Sequence, residues 1–509
     1  SADINITKSI KAGILGGLQV NRQLNGYYQP SYSYPEESMA RNGYANRYAQ
    51  ASFTKNFEST LEWKKQLGNH FGTLIGGYSY QEYIEEGFYA GNADFITDYT
   101  LYNNLGLGSW LKDSKGEISS FKRKSVLAGF FARGAYNYKG KYFLSASLRR
   151  EGSTKFGKNY RWGTFPAVSA AWDISQEPFL RGITAINFLK LRIGYGVTGN
   201  EGLSSENFYI PLIRYDYQGV FYYNGSFRNG FGPVSNSNPD LRWETKIEYN
   251  TGIDWQILNS RLGGSIDFYI RDTKDLIELY DVPVPPNLYP ETWANVGTMR
   301  TSGIEFTINA TPIKKNLFSW ESGLMFDYRQ NKIKTLSNDY YKLETQIIGE
   351  IGPPGITANT HQYGPGLPLG NIYGLVFEKL DSAGKWVFRD YNPEADTAGG
   401  RPSDGRITND DRDVIGNGVP KYYLGFTNTF RYRNIDLTVM IRGLFDYQII
   451  NVKRIWHDNP NFLPRNIMKT AMDTKLDDVP QFSSYYVENG DFIKIDIYYI
   501  LNNDLRVFW

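Results

Sequence analysis

Apolar and polar residues alternate along this chain from Val126 to Ile441, and this alternation limits the possible folds more than any other feature of the sequence. Successive side chains of a β-strand point to opposite faces of a sheet, so a period of two predicts strands with one apolar and one polar face. In residues 126–138 the apolar series includes Phe130 and Tyr136, while Arg133 and Asn137 belong to the polar series. We therefore expect Phe130 and Arg133 to lie on opposite faces.

The same alternation recurs further along the chain, and there the polar series is strongly charged. The charged members are Lys190, Arg192, Glu248, Asp254, Asp267 and Arg271. The predicted strands approach the ~9–11 residues that a tilted strand needs to cross a bilayer, whereas strands of soluble sandwiches average about 5–6 residues. This length favours a membrane-spanning barrel over a soluble β-sandwich.

The connections between the predicted strands alternate between short and long. Short links fall at Lys139-Gly140, 258–261, 311–316 and Arg433-Asn434, and long links cover 199–242, 272–301, 330–420 and 444–490. Outer-membrane barrels have short periplasmic turns and long extracellular loops. The sequence therefore predicts an all-β fold, a large antiparallel transmembrane β-barrel with about 14–16 strands, in a bacterial outer membrane.

Composition supports this fold and excludes several function classes. The 509 residues include 40 Tyr, 30 Phe and 11 Trp but no Cys, and the net charge is +2. Aromatic girdles at the two membrane interfaces would account for the excess of Tyr, although strand propensity alone is an alternative explanation. No apolar run reaches the ~18 residues of a transmembrane helix. The near-neutral charge gives no indication of nucleic-acid binding, and the lack of Cys excludes disulfides and thiolate metal sites.

We find no constellation of residues that would predict an enzyme or a cofactor site. The three histidines, His70, His361 and His457, lie in separate segments, and no nucleophile elbow or phosphate-binding loop is present. Residues 403–411 resemble part of a calcium loop, with Asp404, Gly405 and Asp411 at suitable positions. Gly400 and Pro402 occupy two ligand positions, so a solvated acidic turn is the better interpretation.

A series of short motifs resembles the SusC/RagA family of TonB-dependent outer-membrane transporters. The motifs are Ser147–Ser153, Phe156-Gly157, 162–172, Leu189–Arg192, 196–200, 238–244, 295–297, 303–305, 411–417 and 490–492, with 94–95 and 102–106 upstream. They span most of the chain in a fixed order. Their order and spacing make the resemblance more specific than any one motif.

The resemblance implies a barrel of 22 strands, closed by an N-terminal plug domain and covered outside by a SusD-like surface lipoprotein. It implies import of glycan or peptide oligomers, energised by TonB, ExbB and ExbD acting through the plug. We accordingly interpret residues 1–509 as an incomplete TonB-dependent receptor β-barrel domain that lacks the N-terminal plug and the first and last strands. No plug precedes Ser1, residues 1–6 already look like a strand, and residues 505–509 resemble a strand that is cut off. The alternative is an architectural subunit that reuses such a barrel in an assembly with other outer-membrane proteins.

The predicted outer loop 199–242 is rich in aromatic residues, with two arginines among them. We interpret these residues as possible ligand or lid contacts, while packing of the loop itself is the alternative. The residues are Arg214, Tyr215, Tyr217, Phe221, Tyr222, Tyr223, Phe227 and Arg228.

A second loop, 281–290, contains four prolines within a short span. Proline cannot donate a ladder hydrogen bond, so this segment predicts an extended arm rather than a strand. Its role would be contact with a lid, another barrel or the rim.

Overall fold

The structure is a computed structural model that describes residues 1–33, 41–180, 182–202, 212–350, 359–380, 386–391, 405–451, 500–503 and 506–508. Strands dominate this described part of the chain, which otherwise has short 3-10 turns. No helix within these ranges is long and apolar enough to cross a membrane. The large antiparallel sheet contains fifteen strands, within the number that the sequence predicts.

The strands of the first half of the chain include several of 20 or more residues. They are β1 (Ala2–Asn5), β2 (Ile10–Gln29), β3 (Tyr44–Leu67), β4 (His70–Ala93), β5 (Glu117–Tyr138), β6 (Tyr142–Ser153), β7 (Trp162–Asp173), β8 (Ile186–Asn200), β9 (Tyr215–Tyr223), β10 (Ser226–Pro233) and β11 (Glu244–Ile257).

The strands of the second half include shorter ones within the long connections. They are β12 (Leu262–Asp281), β13 (Glu291–Lys314), β14 (Phe318–Thr335), β15 (Gln346–Glu350), β16 (Asn359–Tyr363), β17 (Asn371–Leu375), β18 (Phe377–Leu380), β19 (Trp386–Phe388), β20 (Arg412–Asn417), β21 (Tyr422–Tyr432), β22 (Ile435–Phe445), β23 (Tyr447–Ile450), β24 (Ile500–Asn503) and β25 (Arg506–Phe508).

The chain divides into two compact units. The first unit comprises Ser1–Ser169, Gly196–Thr245 and Asp281–Asn295, and the second comprises Ala170–Tyr195, Lys246–Tyr280 and Val296–Trp509. We describe each unit by itself.

In the first unit, β2 to β6 pair antiparallel with their chain neighbours. The Lys139-Gly140 turn between β5 and β6 is confirmed, and both residues have the positive φ angles that a tight hairpin turn requires. Phe130 lies opposite Arg150 and Arg133 lies opposite Ser147, so the two residues occupy opposite faces as predicted. Phe130 is 56% exposed on the apolar face. We call that face outward and the polar face inward.

The outward face of β2 to β5 has an uncharged band of membrane height. On β3, the outward positions between Lys55 and Lys65 are Phe57, Ser59, Leu61 and Trp63. Ten residues at about 3.4 Å each span ~34 Å along the strand, or ~24 Å across a bilayer at a tilt of about 45°. Outer-membrane barrels have an apolar band of about 25 Å. This band identifies the membrane-spanning part of the strands.

In the second unit, β14, β21 and β22 continue the alternation. The outward residues of β22 include Ile435, Leu437, Val439 and Ile441, while Thr438 faces inward beside Thr429 of β21. The predicted short links at 258–261 and Arg433-Asn434 are confirmed by the ends of β11, β12, β21 and β22. The link predicted at 311–316 is shorter in the structure and covers 315–317, because β13 continues to Lys314 and β14 begins at Phe318.

Two predicted boundaries are wrong because the strands continue past the membrane. β5 begins at Glu117, not at Val126, and most of the predicted loop 272–301 belongs to β12 and β13. The proline-rich segment 281–290 is also not an extended arm: the Val282 amide donates to the Pro290 carbonyl at 2.7 Å, which closes a compact loop. Backbone hydrogen bonds therefore order segments that the sequence analysis had treated as loops.

Candidate ligand-contact and partner-contact sites

The buried residues of the first unit concentrate at a loop junction, where several of the sequence motifs meet. Trp243 is buried, its ring centre lies 4.8 Å from that of Phe156 and 5.3 Å from that of Phe165, and its indole N–H donates to the Arg161 carbonyl at 3.1 Å. Phe156 is also fully buried. The junction therefore has a small aromatic core that includes Phe165 of β7.

The Phe156-Gly157 motif and the 238–244 motif touch each other directly. The Gly157 amide donates to the Leu241 carbonyl at 3.0 Å. A Cβ atom on Gly157 would lie 1.8 Å from the carbonyl oxygen of Pro239, so a glycine is required at this close approach.

Three asparagine side chains join this junction to the start of β13. Asn295 accepts from the Arg242 amide at 2.9 Å and donates to the Arg242 carbonyl at 2.7 Å, as a backbone partner in a ladder would. Asn238 donates to the Trp293 carbonyl at 2.7 Å. Asn236 accepts from the Leu288 amide at 3.0 Å and donates to the Tyr289 carbonyl at 2.6 Å. The base of the 212–242 segment is therefore fixed by side chains.

The eight predicted contact residues all lie on or beside one β-hairpin that rises from this base. β9 and β10 pair antiparallel around Asn224-Gly225, which have positive φ angles of 47° and 78°. Arg214 lies at the foot of the hairpin, where its carbonyl accepts from the Val234 amide at 2.9 Å. Tyr215 pairs in register with Pro233. We call residues 214–234 the aromatic hairpin.

The two faces of the aromatic hairpin differ. The pairing places Tyr222 opposite Phe227 and Tyr217 opposite Phe231, and their shared face also carries Val220. All five side chains on this first face are more than half exposed. Phe221, Tyr223 and Arg228 share the second face, where Phe221 and Tyr223 are 52% and 67% exposed, so the faces differ in the number of apolar side chains and not in their exposure. Val220 and Phe231 were not among the predicted residues, although their spacing from Tyr222 and Phe227 would have identified them.

The inward face of the first unit carries a second candidate site, which sequence reasoning missed. Four consecutive inward positions of β2 are amides and all four are exposed: Gln19, Asn21, Gln23 and Asn25. They pair in register with Thr54, Ser52, Gln50 and Tyr48 of β3. Tyr48 donates to Gln50 at 2.8 Å. We call this group the amide column, and it presents uncharged donors and acceptors.

The inward face of the second unit is charged instead. Arg192 donates to both carboxylate oxygens of Asp254 at 2.8 Å and to Asp267 at 2.9 Å. The Arg271–Glu248 pair extends the series at 2.8 Å. The charged alternation predicted from the sequence is therefore an ion-pair network on one face.

A cavity of about 590 Å³ opens beside the short-turn end of this network. It is lined by Asp254, Gln256, Asn309, Glu321 and Thr427 among others. The lining also includes Gly263, Gly264 and Gly323.

The calcium-like segment is a capped turn in its described part. Asp404 lies outside the described residues. Asp411 is buried and accepts from the Thr408 amide at 2.5 Å and the Tyr391 amide at 2.6 Å, so its oxygens serve backbone groups. Within the described ranges, no three His, Asp or Glu side chains are grouped to hold a metal ion.

Comparison with known proteins establishes the family. The model of the family "TonB dependent receptor-like, beta-barrel" matches residues 10–439, and the chain therefore belongs to this family of outer-membrane receptors and transporters. The family is not one of enzymes. Its location is the bacterial outer membrane.

Individual relatives are similar over most of this chain. The TonB-dependent receptor P3 of Formosa agariphila is 29% identical over 402 residues, covering 77% of this chain and 39% of that protein. The TonB-dependent receptor SusC of Bacteroides thetaiotaomicron is 25% identical and covers 97% of this chain and 49% of that protein. The chain thus spans less than half the length of these curated relatives.

Solved structures share the fold. The RagAB peptide importer in its open-open state has a TM-score of 0.79 at 21% identity, covering 98% of this chain and 52% of that one. The RagAB peptide transporter has a TM-score of 0.76, also at 21% identity, and covers 98% of this chain and 53% of that one. At this identity, the comparison establishes the barrel-type fold alone.

Proposed function

We propose that the protein containing this chain is a SusC-like nutrient importer of the outer membrane. It moves glycan or peptide oligomers, works with a SusD-like surface lipoprotein as its lid, and is energised by TonB, ExbB and ExbD through a plug domain. The observation that carries the proposal is the separation of the two faces of the sheet, apolar outward and polar inward. A lipid-facing wall with a polar inner lining suits passage of hydrophilic solutes.

The amide column supports an oligomer with many hydrogen-bonding groups. Each amide offers both donors and acceptors, which suit sugar hydroxyls and peptide backbones alike. Tyr27 is exposed next to Asn25 at the end of the column, and Tyr48 pairs in register with Asn25. Aromatic faces can stack on sugar rings or peptide side chains. The RagAB structures are of a peptide transporter, so both substrate classes enter the test.

The first face of the aromatic hairpin supports a role in contact with the lipoprotein lid or the ligand. Its aromatic residues stand exposed on a hairpin with a fixed base, and exposed aromatic clusters typically mark binding surfaces. Arg214 and Arg228 add cationic groups to the same hairpin. Packing within the loop is less favoured, because these rings are solvent-exposed.

Uptake in the native bacterium tests the transport function. Deleting the gene should abolish growth on one oligosaccharide or peptide mixture while growth on the corresponding monomers continues. Loss of TonB should have the same effect. If the deletion strain takes up every oligomer at the wild-type rate, and the protein co-purifies with other barrels but no lipoprotein, the architectural alternative holds instead.

Co-purification in detergent tests the hairpin. The variant Tyr222→Ser/Phe227→Ser should lose the lipoprotein or the bound oligomer. The matched variant Phe221→Ser/Tyr223→Ser, on the second face, should keep more of it. Equal retention by both variants would contradict a contact role for the first face.

A further inference from the structure

Charges on the outward face of β2 to β5 are concentrated at one edge of the uncharged band. Five cations lie at or beyond the edge nearest the long connections, together with only two carboxylates, Glu82 and Glu86. The cations are Arg22, Arg47, Lys55, Lys122 and Lys124. On the same face, Lys65 is the single charged residue beyond the opposite edge of the band. Cations therefore exceed carboxylates by three at the first edge.

Ion pairs at this edge join three lysines to two glutamates. Glu82 lies between two ammonium groups, 2.8 Å from Lys55 and 2.6 Å from Lys124. One carboxylate cannot neutralise two cations. Glu86 pairs with Lys122 at 3.0 Å. Arg22 and Arg47 add two further cations to the face.

The lysine side chains are accessible from the membrane side. The side chains of Lys55, Lys122 and Lys124 are 58%, 69% and 53% exposed. Leu18, in register with Lys55, is 68% exposed on the same face. An apolar surface therefore continues directly into a cationic one.

We propose that these five residues, the cationic rim, bind the phosphate groups of lipids in the outer leaflet of the outer membrane. Long connections of such barrels face the cell exterior, so the rim lies at the outer leaflet. A ligand at this depth must combine an acyl chain, which fits beside Leu18, with an anionic group that accepts hydrogen bonds from lysine and arginine. A phosphorylated lipid has both features. The rim lies outside the barrel wall, so this site is independent of the transported substrate.

Native mass spectrometry of the full-length protein in detergent tests the proposal. The probes are lipid A with its phosphates and the same lipid after enzymatic removal of the phosphates. The wild-type protein should retain the phosphorylated lipid at least about tenfold better, since each nearby cation strengthens binding to an anionic headgroup. Equal retention of both lipids by the wild type would overturn the proposal without any variant.

Matched triple variants locate the site. Lys55→Gln/Lys122→Gln/Lys124→Gln should lose this preference for phosphate. Lys65→Gln/Lys139→Gln/Lys141→Gln removes the same number of charges near the short turns and should keep it. An equal loss in both folded variants would show a general charge effect and overturn the assignment. Inorganic phosphate in excess should compete weakly; full displacement by it would indicate an anion site without lipid specificity.

Discussion

Gly157 and Pro239 approach each other so closely that a Cβ atom on Gly157 would lie 1.8 Å from the Pro239 carbonyl oxygen. The two residues are far apart in sequence but belong to motifs that meet at the base of the aromatic hairpin. This contact explains why the Phe156-Gly157 motif has a glycine, and it accounts for the position of Pro239 in the 238–244 motif.

Gly157→Ala should therefore destabilise the junction, by about 1–3 kcal/mol or more, because backbone must move to admit the methyl group. The yield of folded protein in the outer membrane, measured by its heat-modifiable gel mobility, should fall. Gly194→Ala is the control, since a Cβ atom there meets nothing within 4 Å. Equal yields from both variants would contradict the close approach.

Phe130→Arg should destabilise the inserted protein by about 2–4 kcal/mol, because it places a charge on the lipid face. Arg133→Phe should leave insertion intact, since Arg133 faces inward and donates to Ser145 at 3.3 Å. Folding into lipid vesicles, followed across a urea series, measures both effects. Equal tolerance at the two positions would disprove the assignment of faces.

Asn295→Ala should loosen the base of the aromatic hairpin. It leaves the amide and carbonyl of Arg242 without their side-chain partner, at a cost of about 1–3 kcal/mol for each buried group. Trypsin should then cleave after Arg214 and Arg228 faster than in the wild type. Asn159→Ala is the control, because Asn159 makes an exposed bond to Asp240 at 2.8 Å. Unchanged cleavage of the Asn295 variant would argue against the clamp.

The small sheet of β15, β16, β17 and β20 should be sensitive to mild acid through His361. Burial lowers the pKa of His361 in the folded state, below its ordinary value of about 6.5. The unfolded segment therefore binds the proton more readily, so stability is complete above about pH 6.5 and declines as the pH falls toward the folded-state value. Cleavage within 336–421 by proteinase K, normalised to an unstructured peptide, should rise between about pH 7.5 and about pH 5.5.

His361→Gln provides the comparison, because glutamine does not titrate. Its cleavage rate should stay level over the same range. A rise of equal size in this variant would assign the acid sensitivity to another group.

The sequence predicted the strands from Val126 onward better than those that precede Val126. From Val126 onward, large apolar residues make the alternation visible. In β2 and β3 the outward positions include Ala12, Gly16, Ala49 and Ala51, which contrast weakly with the polar inward series. The strands there were missed although their inward amides alternate as regularly as the residues of β6.

The predicted contact residues lie on one hairpin because they are close together in the sequence, and their contact role stays a prediction. Their division between two faces of a hairpin was not predicted, because a bulge near Gly219 shifts the register between Tyr217 and Val220. The motifs around Gly157, Trp243 and Asn295 were found individually. Their meeting point depends on contacts between segments distant in sequence.

Local sequence by itself determined the two-faced strands, the tight hairpin turns and the family, because alternation, turn residues and short motifs each act over a few neighbouring positions. The tertiary structure decided which polar residues meet, as when Arg192 joins Asp254 and Asp267 or Gln23 lies beside Gln50. Such meetings depend on strand register. A shift of one residue in the register turns every side chain of a strand to the opposite face. The correct register is set by backbone pairing along the whole length of both strands.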